Sequence, residues 1–147
     1  MISVLVAMLV AGLGLLGLVR VISTVTAAST QDEIVSSLGS ISDGFWGVVQ
    51  ANPSVLTTAS LSGTHYTAGN YTSAPLALQP WLQEATSTLP GGTITVTTGP
   101  DAGSGAACAP ATGCSVKLEV DWTQVAAPGA ATTATTRSQY FYYQFGL

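Results

Sequence analysis

The sequence predicts an α+β fold from three features. These are an apolar opening that passes into an amphipathic stretch with no proline before Pro53, a short Pro-initiated stripe at 80–89, and three later segments of alternating apolar and polar residues. The expected architecture is a long N-terminal helix, hydrophobic anchor plus amphipathic half, packed on a small antiparallel β-sheet. It divides the chain into an anchor at 1–19, an amphipathic continuation at 20–51 and a globular part at 52–147.

The opening, "SVLVAMLVAGLGLLGLVR" at 3–20, meets its first charge at Arg20. As a helix, Met1 to Val19 would rise about 28 Å, close to the roughly 30 Å of a bilayer's hydrocarbon core. A cleaved secretory signal fits less well, because no basic residue precedes the run. A single arginine leaves the orientation open. Further on, Ile34, Leu38, Ile41, Phe45 and Val48 recur at steps of four, three, four and three, as on one helix face. Asn52 before Pro53 ends the helix. Gly39, Gly44 and Gly47 weaken it by about 1 kcal/mol each relative to alanine, and "SDG" at 42–44 is a candidate break.

After Pro53, "SLSGTHYTAGNYTSAP" is polar and turn-rich and reads as a surface loop. Pro80 suits a first helical turn. Trp81, Leu82, Ala85 and Leu89 then form a packing stripe that "PGG" ends. Strands are expected at about 93–98, 115–122 and 138–145. The first points Ile94 and Val96 to one side. The second sets Val116, Leu118, Val120 and Trp122 opposite Lys117, Glu119 and Asp121, and the third groups Phe141, Tyr143 and Phe145. The apolar face of this sheet needs a cover, and the stripe Ile34, Leu38, Ile41, Phe45 and Val48 is the available one. The connections "GPDAGSGAACAPATGC" and "TQVAAPGAATTATT" are long for hairpins and read equally as interaction loops or flexible linkers.

Charged residues make up only 7% of the chain, so Thr, Ser, Gly and Ala cover much of the surface, a composition that favours close subunit packing. With three basic residues (Arg20, Lys117, Arg137) and a net charge of -4, no nucleic acid is expected as a partner. Cys108 and Cys114 have no further Cys or nearby His to complete a metal shell; a local disulfide is preferred over two free thiols. His65 reads as a loop histidine without chemistry. Asp32/Glu33 and Glu119/Asp121 read as solvated faces, and Tyr140, Tyr142 and Tyr143 as sheet packing rather than stacking platforms. No catalytic residue, metal site, cofactor or small-molecule substrate is expected, and the chain does not read as an enzyme.

"VLVAMLVAGLGLLGL", with "GLLGL" its most characteristic part, resembles the opening of type IV pilins, particularly minor pilins of the PilV (type IV pilus modification protein) group. "PWLQEATSTLPGG" is similar to that group's short helix and turn, and "CSVKLEVDW" to its strand ending in tryptophan. The resemblance implies a pilin-like fold and a single-pass protein of a bacterial inner membrane, its globular part periplasmic, that later enters an extracellular pilus. Its implied partners are the inner membrane before assembly and other pilins, met through the N-terminal helix. The implied function is that of a minor pilin in assembly initiation or at the filament tip. A minor pseudopilin of a type II secretion system, or a tip adhesin binding through its long loops, is the alternative. Pilins are made with a basic leader cut after a glycine; nothing before Met1 matches one, which suggests an internal or truncated start. Ser3 stands where most pilins carry a glutamate, whose carboxylate the family is thought to pair with a neighbour's terminal amine.

Overall fold

In the computed structural model, Ile2–Ala51 forms one helix of 50 residues, α1. The structure describes residues 2–58, 61–101, 105–106, 108, 113–125 and 134–146, and before Asp32 only some of the side chains. Asn52, at φ -139° and ψ 71°, leaves helical geometry as a residue before proline must, and Pro53 opens a 3-10 turn, Pro53–Thr57. The "SDG" segment does not break the helix. Ile41 and Phe45 are buried on either side of it, and at Gly44 the backbone meets an indole so closely that a Cβ would lie 2.9 Å from Trp81 Cδ1. Tertiary packing outweighs the glycine penalty here.

The expected fold class is corrected in its first half. Among the described residues no helix is long and apolar enough to cross a membrane, so the hydrophobic anchor is not supported, nor is single-pass placement in an inner membrane. The physical reason is plain over 32–51. Asp32, Glu33 and Asp43 share this stretch with Ser36, Ser37, Ser40 and Ser42, groups that are costly to strip of water. Ile34, Leu38, Ile41, Phe45, Val48 and Val49 of this stretch already serve the protein's own core.

The sheet has four antiparallel strands in the order β1-β2-β3-β4: β1 Thr64–Thr67, β2 Thr93–Gly99, β3 Cys114–Val125 and β4 Ala134–Phe145. β1 lies inside the segment expected to be a surface loop. Tyr66 points from it into the core and is fully buried. Helix α2, Gln79–Thr88, begins with Pro80 in its first turn. The tight return from α2 to β2 uses Gly91 at φ +61°, where a Cβ would also meet Thr123 Oγ1 at 2.7 Å. β3 and β4 outrun β2, which pairs β3 only from Ser115 to Asp121, and form a two-stranded ribbon beyond it. Part of what read as a linker is therefore strand, carried by β-branched Thr123, Thr135 and Thr136.

One core joins these elements. Leu38, Ile41, Phe45 and Val49 of α1 meet Trp81, Leu82 and Ala85 of α2 and the inward row of the sheet, Ile94, Val96, Val116, Leu118 and Val120. A disulfide links Cys108 to Cys114 across a Cα–Cα distance of 5.1 Å, with both residues buried. The Cys108 N–H also reaches the Leu56 carbonyl at 3.3 Å, which ties the connection before β3 to the turn after α1.

Candidate functional site

The residues expected to join helix to sheet come together in that core, but not uniformly. Leu38, Ile41, Phe45, Val116, Leu118 and Val120 are buried; Ile34, Val48 and Trp122 are half-buried at its margin. The stripe continues from Phe45 to Val49, a step of four, so Val49 takes the fully buried place and Val48 stands beside it. Trp122 is half-buried because it sits where the ribbon leaves β2.

A second cluster was not legible in the helical spacing. Trp46 stacks on Tyr143 and Phe145 at centroid distances of 5.8 and 4.8 Å, and Phe45 lies 5.3 Å from Trp81 and 5.4 Å from Tyr143. Polar bonds fix its orientation. The Trp81 Nε1–H donates to the Ile41 carbonyl at 3.1 Å; the Tyr143 hydroxyl donates to the Ser42 carbonyl at 3.1 Å and lies 2.6 Å from Ser42 Oγ. Burial pushes the Tyr143 hydroxyl above its ordinary 10.0, with the Ser42 hydrogen bond opposing and the Asp43 charge adding. Burial likewise raises Tyr66, against a hydrogen bond from Thr64. The signal that could have found the cluster is the pairing of two aromatic neighbours, Phe45 and Trp46, with an alternating aromatic strand.

Other candidates fall apart spatially. His65 lies on β1, not in a loop, and its Nδ1 is 2.7 Å from Thr95 Oγ1. Asp32 and Glu33 are exposed. Glu119 takes Lys117 at 3.3 Å and Asp121 accepts from Ser138, which leaves no pair of carboxylates facing a cleft. Tyr140 and Tyr142 were expected to pack in the sheet; they are exposed on its wet face, with Lys117 Nζ 5.3 Å from the Tyr140 ring centre. Among the described residues no group of three His, Cys, Asp or Glu could hold a metal ion. A shallow groove of about 200 Å³ runs between α1 and α2 beside Ser40, Gly44, Trp81 and Glu84. No buried polar side chain of the described residues lacks a partner there or elsewhere, so the groove presents no built ligand site. The Ser3 side chain lies outside the described residues.

What distinguishes the surface is the outward side of α1. The described side chains before Asp32 contribute nothing to the core, and Val6, Met8, Val10, Leu13, Leu15 and Leu18 are each more than half exposed. Comparison with family models, with curated proteins and with solved structures finds no match for the chain.

Proposed function

We propose that the chain is a structural subunit of a type IV pilus, a minor pilin that acts in assembly initiation or at the filament tip through packing of α1 against the helices of other pilins. The observation that carries the reading is the group of exposed apolar side chains described between Val6 and Leu18, on a helix whose contacts with the core, among the described residues, begin at Ile34. Exposed apolar surface of this extent on one element is a packing face. The pilin-like wording of "VLVAMLVAGLGLLGL" points to helices of the same kind as its partners. Sparse charge favours close subunit contact over repulsion.

The test is Val10→Glu with Leu13→Glu in the full chain. Both positions are distant from the core, so the thermal midpoint of the globular part stays unchanged, while the variant disappears from pilus filaments sheared from cells. Normal recovery of the variant in those filaments overturns the reading.

A further inference from the structure

The sheet has two free edges, and the chain closes one of them. At β1 the Asn70 side chain accepts the Thr67 N–H at 2.6 Å and donates to the His65 carbonyl at 2.9 Å, which takes up two backbone groups of a strand only four residues long. β4 has twelve residues and pairs with β3 in unbroken register from Ala134↔Val125 to Phe145↔Cys114, so no bulge turns it aside. It contains no proline, and Arg137 is its single charge. Among the described residues one side-chain amide, that of Gln139, reaches a β4 carbonyl, that of Tyr140 at 3.2 Å. Every second residue of such an edge turns its N–H and C=O away from the neighbouring strand, and a row of these groups recruits another strand.

We propose that β4 is a pairing edge for a second copy of this chain, in which two β4 strands run antiparallel about a two-fold axis at Phe141 and join two four-stranded sheets into one. The occupant must bring an open strand edge of its own and must place no like charge opposite Arg137. β4 meets both conditions. Centred on Phe141, the pairing sets Tyr140 opposite Tyr142 of the second copy, an aromatic cross-strand pair formed twice, and Gln139 opposite Tyr143. The two Arg137 side chains stand at opposite ends, each facing a Phe145. Tyr140 and Tyr142, exposed beside the edge, are covered by the same step. A pairing centred on Arg137 itself would oppose the two cations, which selects against that register. The inference is independent of how α1 packs.

The experiment uses the full chain carrying Val10→Glu and Leu13→Glu, so that association through α1 does not contribute, and measures sedimentation equilibrium over a concentration series. The expected result is a monomer–dimer equilibrium. Tyr140→Lys with Tyr142→Lys puts like charges opposite each other twice across the axis and weakens the dimer at least about tenfold. Tyr140→Glu with Tyr142→Lys places opposite charges there and restores it, although within one copy the new carboxylate then stands beside Glu119 and the new ammonium beside Lys117. Restoration by that variant separates pairing across the axis from any effect on the fold. A parent that stays monomeric, a double-lysine variant that dimerises as the parent does, or a Glu/Lys variant that fails to recover overturns the proposal.

Discussion

At the residue scale, Gly44 shows two effects in competition. In an isolated helix Gly→Ala gains about 1 kcal/mol. Here the new methyl would press on an indole already held by its bond to the Ile41 carbonyl, and overpacking of that kind costs about 1–3 kcal/mol. Gly44→Ala is therefore expected to destabilise the protein by about 1 kcal/mol net, read from the urea midpoint; a stabilised variant would refute the close contact. Tyr143 gives a pH dependence. Its folded value is raised, so above pH 10 the unfolded chain loses a proton that the folded chain keeps, and stability falls with rising pH from there through the raised value. Tyr66 acts in the same direction. The free energy of unfolding of Tyr143→Phe should decline less steeply above pH 10 than that of the parent, and equal slopes would remove Tyr143 from the account.

At the scale of elements, Asn70 stands in for a missing fifth strand. Asn70→Ala should cost about 1–2 kcal/mol and speed hydrogen exchange at the Thr67 amide before the interior amides of β2 change. Replacing Cys108 and Cys114 by serine should cost about 2 kcal/mol, since the closed loop is short, and should loosen the segment hydrogen-bonded to Leu56. Much of this level was legible in the sequence, because α2, β2, β3 and β4 announce themselves through periods of 3.6 and 2 that burial enforces. β1 was not, since its four residues lie among Gly63, Gly69 and Asn70, and only the pairing with β2 makes them a strand. The ends of β3 and β4 were hidden for a related reason: 134–137 is exposed on both faces and 122–124 half-buried on both, so no alternation marks the ribbon. The stripe of α1 was read to Phe45 and then one residue short of Val49, because steps of three and four are equally allowed until a partner surface chooses.

At the scale of the whole molecule, the interior explains the fold, whereas the proposed function rests on the surface, and the sequence is far less specific about the second. Leu38, Ile41, Phe45 and Val49 look inward while the described apolar side chains between Val6 and Leu18 are exposed, a division that hydropathy alone turned into a membrane anchor the structure does not support. On the proposed reading the first subunit of a filament has no neighbour above it to neutralise a carboxylate, so Ser3→Glu should reduce the number of pili per cell by burying an unpaired charge. Undiminished piliation, with a tagged copy spread along the shaft, would exclude a tip position. The placement of the basic residues has a further consequence, for digestion. A trypsin-like protease can cut only after Arg20, Lys117 and Arg137, and these lie in α1, in β3 and in β4. None is in a loop, where nicking starts. Cleavage after Lys117, in a strand flanked on both sides, waits for the sheet to open, so its rate reports the stability of the sheet itself. A chain displayed outside a cell would thus keep one of its three sites from a common class of digestive enzyme for as long as the sheet stays closed.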